Sequence, residues 1–361
     1  MPRKWKNYGI PYRGSKNKVI TWLGENLPPG DTFVDLFCGG CSVTHYMMTQ
    51  GRYRRYVIND INPLLPKAFD MAIHGGFHDE NRWISREDFF HLRDSDPYAA
   101  ICFSFGNNLT DYMYAQPLEP YKRACHYAVV FDEWDELQQL CPEVADSAYT
   151  ALKGVHDRHL RRLRFGPAII RKLKAIGDAS LIDSNPLYRS CHTRKDTKTR
   201  PKGQFCDHGS LQSLERLQSL ERLERLQSLE RLERLQSLES LERLDAIQNV
   251  GVGGVSLITH IGDYRSVPIP PHSTVYCDIP YIKTGAEYCE GFNHQDFYEW
   301  ALSRPYPVFV SEYTMPDDFA CIGACRRADS MAATTTVRRV EKLFVQRQYA
   351  DRFRRSLFAF G

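Results

Sequence analysis

The chain has 361 residues, 42% of them hydrophobic and 25% charged, with a formal net charge of +3. That length can bury the cores of two compact units. No run is apolar and long enough to span a bilayer, and no signal-peptide pattern opens the chain, which argues against a membrane-spanning or secreted protein. The 11 cysteines are scattered without a disulfide framework and read as reduced thiols in a cytoplasm. Cys191-His192 and Cys206-His208 offer four zinc-type ligands. One pair is adjacent and the spacing fits no familiar finger, so no metal is expected.

In chain order, Tyr12-Arg13-Gly14-Ser15-Lys16 leads into a helical pattern over residues 16–27 that Pro28-Pro29-Gly30 ends. Lys16 at a helix start opposes the dipole. It is either surface decoration or a group that meets an anionic ligand, and the mismatch favours the ligand. Residues 32–43 then read as a strand, a tight Cys38-Gly39-Gly40 turn and a helix start. Glycines there let the backbone approach a ligand closely. About twenty residues on, Tyr56-Val57-Ile58-Asn59-Asp60 is a second strand ending in a carboxylate, placed to bind ribose hydroxyls. A helix follows Asn62-Pro63.

Residues 76–205 break this alternation. Helical patterns dominate, for instance over 133–140 and 149–163. Ser104-Phe105-Gly106-Asn107-Asn108 and Tyr112-Met113-Tyr114 bring aromatics into this stretch. That suits contact with DNA and wedging between base steps, and it suits an ordinary core equally. Arg158, Arg161, Arg162, Arg164, Arg171 and Lys172 crowd one stretch against Asp157 alone, and residues 189–202 and 326–355 are basic again. Clustered positive charge fits a phosphate backbone or a solvated helix face.

Residues 211–244 carry leucine at every third position, filled with Gln-Ser, Glu-Arg or Glu-Ser. A helix turns about 100° per residue, so a step of three drifts about −60° and winds the leucines around the axis. A heptad would keep them on one stripe. The expectation is a repeat-expanded linker in a monomeric protein, with the repeat as the one segment through which copies could associate.

From residue 250 the α/β pattern returns, with strands at 253–260, 274–278 and 307–311. Residues 341–346 and 356–360 read as a terminal antiparallel hairpin. Strand ends thus supply Asp35, Asp60, Asp263 and Asp278, and in open α/β sheets ligands bind beyond those ends. Helix capping explains Asp35 or Asp60 singly, but not all four together.

The stretch Val275-Tyr276-Cys277-Asp278-Ile279-Pro280-Tyr281 is the most informative. Pro280 leaves the sheet and holds Ile279 extended. The result is one acceptor carboxylate, one free carbonyl at Ile279 and one aromatic plate at Tyr281. An exocyclic amino group on a flat ring has two hydrogens to donate and a face to stack. The Ile279 side chain is expected only to line the base pocket. The plain alternative is a strand running into a proline turn with a capping Asp.

With these residues in view, the chain resembles the DNA N6-adenine methyltransferases of the DNA adenine methylase (Dam-like) family. Tyr12-Arg13-Gly14-Ser15-Lys16 is similar to that family's N-terminal motif. Asp35-Leu36-Phe37-Cys38-Gly39-Gly40 resembles its S-adenosylmethionine loop, Gly262-Asp263-Tyr264 its pair for the cofactor's adenine, and Asp278-Ile279-Pro280-Tyr281 its catalytic Asp-Pro-Pro-Tyr. The resemblance spans residues 8–75 and 250–361. Two departures are Ile279 for the first proline and Cys41 where a small residue is usual.

The resemblance implies an α/β fold: a Rossmann-like S-adenosylmethionine-dependent sheet with an inserted, mostly helical target-recognition domain. The catalytic domain would comprise 1–75 and 250–361, the insertion 76–205 and the linker 206–249. Tyr12, Lys16, Asp35, Phe37, Gly39, Asp60, Asp263 and Tyr264 would hold S-adenosylmethionine, with Lys16 meeting its carboxylate. Asp278, Ile279, Pro280 and Tyr281 would act on an adenine flipped out of double-stranded DNA. N4-cytosine methylation asks for the same acceptors, although Asp rather than Ser at 278 leans toward adenine. A binding module with a degenerate cofactor fold is the rival from another class. No Pro-Cys dipeptide suggests cytosine-C5 chemistry.

Overall fold

The computed structural model describes residues 7–176, 235–247, 255–281, 292–329 and 337–353. The chain divides into one compact unit of residues 1–80, 88–111 and 240–361 and a second of residues 81–87 and 112–239. The first holds a seven-stranded mixed sheet in the order β3-β2-β1-β4-β5-β7-β6. These are β1 (Thr32–Asp35), β2 (Arg55–Asp60), β3 (Ser256–Ile261), β4 (Ser273–Cys277), β5 (Val308–Glu312), β6 (Phe319–Asp329) and β7 (Val337–Gln346). The first five are parallel. β7 runs antiparallel to both β5 and β6.

The four residues of β1 are all buried, as are all five of β5. This is why they read as continuous apolar runs rather than alternating ones: helices cover both faces of a parallel sheet. Val34, Val275, Val310, Phe297, Trp300 and Phe344 join one core beside them. The chain leaves β1 toward β2 on one side, while β4 lies on the other. Such a reversal opens a crevice at the carboxyl ends of the two central strands.

Helices α1 (Ile20–Asn26), α2 (Ser42–Gln50) and α3 (Leu64–Ile73) fall where the sequence places them. Lys16–Lys18 is a separate 3-10 turn rather than the first turn of α1. The expected terminal hairpin is different. Residues 341–346 lie in β7, but its partners are β6 and β5, and residues 356–360 lie outside the described residues. β6 escaped notice because it is rich in small residues and cysteine, and a register shift between Cys321 and Gly323 breaks its period of two.

The short helices α4 (Arg86–Leu92) and α5 (Pro97–Cys102) come next, and the elements of the second unit are helices among its described residues. It contains α6 (Glu119–Val130), α7 (Asp135–Leu140), α8 (Pro142–Leu152) and α9 (Arg158–Ile176). The helix expected over 149–163 is two helices, because Gly154 takes φ 74° between them. Nor is the whole basic run free for phosphate. Arg161 is 6% exposed and donates to the carbonyls of Val129 (2.6 Å), Ala128 (2.6 Å) and Val155 (3.0 Å). It also pairs with Asp132 at 2.6 Å. It serves the orphan carbonyls at the end of α6.

Tyr112 and Tyr114 are core residues of this unit, with the Tyr114 ring stacked on Trp83 at 5.5 Å. Phe105, in the first unit, is the exposed aromatic of that stretch.

The linker reading fails for the last part of the repeat. Within and beside α10 (Gln236–Asp245), Leu235, Leu238, Leu241, Leu244 and Ile247 are all buried, and so are Ser237 and Ser240. Leucines that wind around the axis, with small serines between them, suit a helix enclosed on most sides. The Ser237 hydroxyl lies 3.0 Å from that of Tyr114, and Asn107 Nδ2 donates to Ser240 Oγ at 3.2 Å. Residues 211–234 of the repeat lie outside the described residues.

Candidate active site

The carboxyl ends of β1, β2 and β3 are tied together by backbone and side-chain amides. Cys38 N–H donates to Asn59 O at 2.9 Å, and Gly39 N–H to Asp60 Oδ2 at 2.9 Å. Asp60 Oδ1 accepts from Asn62 N–H at 2.9 Å. Asp60 therefore braces the glycine turn and starts the next one, with spare lone pairs on both oxygens. Burial raises its pKa, and the N–H groups of Asn62 and Gly39 oppose the rise. Asn59 donates to Leu36 O and Gly262 O, each at 3.0 Å, joining three strand ends through one amide. The sequence offered one sign of it: a polar residue inside an apolar strand.

The glycine turn is closely approached. Gly39 has φ 46°, and a Cβ on Gly40 would stand 2.9 Å from Tyr12 Cβ and 3.1 Å from Ile10 O. Tyr12 thus packs over the turn. Cys41 continues it with φ 53°, an uncommon conformation for a residue with a Cβ. Gly9 N–H donates to Nδ1 of the fully buried His45 at 2.8 Å. Burial lowers the His45 pKa to about 3, so this imidazole is a neutral acceptor. Sequence reasoning missed both residues.

Asp35 is buried at 1% exposure. Its Oδ2 accepts from the Thr44 hydroxyl at 2.8 Å, while Oδ1 has no hydrogen-bond partner among the described residues. Burial raises its pKa to about 7, Thr44 works against this, and the charges of Asp278 and Asp60 add to it. The Phe37 ring lies 5.1 Å from that of Tyr264. Asp263 accepts from Arg265 N–H at 2.8 Å and pairs with its guanidinium at 2.5 Å, which lowers the Asp263 pKa. Beside Asp60, a cavity of about 420 Å³ is lined by Ile61, Asn62, Arg93, Asn108 and Thr110 among others.

The second half of the site begins where β4 ends. Lys16 Nζ lies 2.7 Å from Asp278 Oδ1 and 3.3 Å from Glu341 Oε1. It also donates to the Tyr281 hydroxyl, which in turn donates to Glu341. Burial lowers the Lys16 pKa, but Asp278 and Glu341 outweigh it and leave it raised. Asp278 keeps 22% of its side chain exposed. Burial lifts its pKa to about 6, with Lys16 pulling down and Glu341 pushing up.

The Tyr281 ring packs against Tyr313 with centroids 4.6 Å apart. His294 Nε2 lies 2.7 Å from Pro280 O. The Ile279 carbonyl has no donor among the described residues. The Ile279 side chain is 2% exposed and belongs to the core beside Val275 and Phe297, so it does more than line a pocket.

The structure thus groups Tyr12, Asp35, Phe37, Gly39, Asp60, Asp263 and Tyr264 along three neighbouring strand ends. It sets Lys16 with Asp278 and Tyr281 instead. Glu341, Tyr313 and His294 were not expected. Glu341 escaped because strand ends were read at carboxyl termini, whereas antiparallel β7 brings its first half to that side of the sheet. Among the described residues there is no cluster of acids, histidines and cysteines fit for a metal, and no helix long and apolar enough to cross a membrane. The cysteine–histidine pairs at 191–192 and 206–208 lie outside the described residues.

Residues 12–118 match the family model of the D12 class N6 adenine-specific DNA methyltransferases. A search of curated proteins finds no match. The matched stretch carries the glycine turn and Asp60, and its class name specifies adenine N6 rather than cytosine N4. The glycine turn is braced by one strand-end acid, Asp60, and a second acid, Asp278, follows β4 on the other side of β1. Over residues 12–118 the chain is similar to the D12 class of N6 adenine-specific DNA methyltransferases.

Proposed function

We propose that the methyl donor is S-adenosylmethionine, held at the ends of β1, β2 and β3, and that the acceptor is an adenine flipped out of double-stranded DNA. Two observations about the donor side favour this. The unpartnered Asp35 Oδ1 suits a ligand bearing positive charge, and the spare lone pairs of Asp60 suit a ribose diol. Gly39 and Gly40 let Tyr12 and Ile10 pack closely against the turn that would cradle the ligand. Phe37 and Tyr264 offer a flat apolar surface with Asp263 at its edge. When bound, S-adenosylmethionine supplies an electrophilic methyl group on a sulfonium.

The observation that carries the acceptor side is the pairing of Asp278 with the undonated Ile279 carbonyl at the end of β4. These two oxygens accept the two hydrogens of the adenine N6 amino group. That draws the nitrogen lone pair out of conjugation with the ring and aims it in line at the methyl group. Tyr281 stacks on the base, its ring fixed by Tyr313 behind and by Lys16 and Glu341 at the hydroxyl. Orientation and preorganised charge supply most of the rate, and no covalent enzyme intermediate forms. The helical second unit takes the part of the target-recognition domain, and exposed Phe105 that of a wedge at a base step.

Labelled S-adenosylmethionine incubated with unmethylated DNA, followed by digestion to nucleosides, tests this reading. Label in N6-methyladenosine is expected. Label in N4-methylcytosine, or none from a folded protein, would overturn it.

A further inference from the structure

Glu341 is fully buried, an unusual place for a carboxylate. Oε1 takes the Lys16 ammonium at 3.3 Å and the Tyr281 hydroxyl, and Oε2 is buried with no partner among the described residues. A buried carboxylate left half-satisfied is costly to folding. Lys16 already has Asp278 at 2.7 Å, so a simple neutralising pair did not require a second acid.

We propose that Glu341 is a positioning residue for methyl transfer: it holds the Lys16 ammonium and the Tyr281 phenol together, and so fixes Asp278 and the stacking ring for the adenine. Glu341 has this role if Asp278 faces the adenine amine, as proposed above. One end of the clamp is geometric. Tyr281 cannot swing away from Tyr313 without breaking the bonds of its hydroxyl to Lys16 and Glu341. The other end is electrostatic. With a methyl donor bound, the N6 lone pair would form the new C–N bond as the C–S pair left with sulfur, and N6 would gain positive charge, shed by loss of a proton to water.

An uncompensated Lys16 ammonium beside Asp278 would oppose that charge. Asp278 and Glu341 set two carboxyl groups against the one Lys16 ammonium, which favours the developing charge.

The same cluster sets the pH dependence. The groups that act on Asp278 are Lys16, Glu341, Tyr281, Tyr276, Cys277 and Asp35. Glu341 pushes the Asp278 pKa up, so removing its charge moves that pKa down.

Glu341→Gln tests the assignment, because it keeps the shape and an acceptor for the Tyr281 hydroxyl but not the charge. The expected result is a folded protein with unchanged cofactor affinity, kcat lowered at least tenfold, and an acid limb of the kcat profile moved to lower pH. Glu341→Asp should move the limb back. In parallel, carbon-13 NMR of labelled aspartate carboxylates, assigned with Asp278→Asn, should show Asp278 titrating lower in Glu341→Gln, whether or not DNA is methylated. An unmoved Asp278 titration, or a loss of activity without a limb shift, would overturn the assignment. A wild type inert on DNA would overturn the methyl-transfer reading instead, leaving the NMR titration to judge Glu341. If Glu341→Gln does not fold, Glu341→Met, which also lacks the charge, carries both measurements, and an Asp278 titration and kcat equal to wild type would overturn the clamp.

Discussion

Lys16 Nζ lies 2.7 Å from Asp278 Oδ1, joining the first motif of the chain to the end of β4. The acid proposed to accept the substrate amine thus has an ammonium beside it that opposes the effect of burial on its pKa. Asp278→Ala should abolish methyl transfer while cofactor binding survives. In the wild type, only the ionised carboxylate accepts the amine, so kcat should fall as pH drops through about 6, where Asp278 titrates. Calorimetry with cofactor and transfer assays across pH check both. Retained turnover in Asp278→Ala would remove it from the reaction.

Asp60→Ala should behave differently. It deletes the brace on Gly39 N–H and the proposed acceptor for the ribose, an effect of about 1–3 kcal/mol. Weaker cofactor binding is expected, with a smaller change in kcat at saturation. An unchanged dissociation constant would exclude Asp60 from the cofactor site.

Asp35 gives a stability prediction. Its folded pKa of about 7 lies above the ordinary 3.8, so the native state holds this proton more tightly than the unfolded chain. The stabilisation is complete below about 3.8 and is lost as pH rises through about 7. Asp35→Asn should flatten the fall in stability between those limits and leave the ligand-free protein more stable than wild type at pH 8. Thermal melts at several pH values decide, and parallel pH curves for the two proteins would contradict the assignment.

The repeat divides at residue 235. Leu241→Ala should cost about 2–5 kcal/mol, as for other buried leucines. Deleting 211–234 should leave folding and activity largely intact, whereas extending the deletion to 241 should destabilise the protein. Denaturant titration of the three variants measures this. Equal stability of the two deletions would show that α10 adds nothing.

Ile279→Pro separates backbone from side chain. Its carbonyl remains, and a residue before proline is already biased to extended backbone. Activity per folded molecule should stay within about tenfold, roughly 1.4 kcal/mol in the barrier. Because Ile279 is core, stability should fall by about 1–3 kcal/mol. A folded, cofactor-binding and inactive variant would defeat the carbonyl assignment.

Much of the architecture was written locally. Apolar runs bounded by glycine and proline marked β1, β2, β4 and β5, because parallel strands are buried on both faces. Asp60 and Asp278 stood out as carboxylates at their ends. What needed no tertiary partner was legible: the glycine turn, the proline exit after Ile279 and the aromatic at 281. Lys16 was visible as an anomaly, but its partner was not.

Only the folded chain decided what depends on elements distant in sequence. β7 entering antiparallel set Glu341 beside Tyr281 and Lys16, and no local pattern encodes that direction. Arg161 became a cap on α6 rather than a surface charge because helix ends must find donors. The leucines of α10 became core because surrounding residues enclosed a helix with no single apolar stripe. Local sequence determines which groups a strand or turn can present. Which of them meet is set by sheet order and strand direction, which no spacing along the chain records.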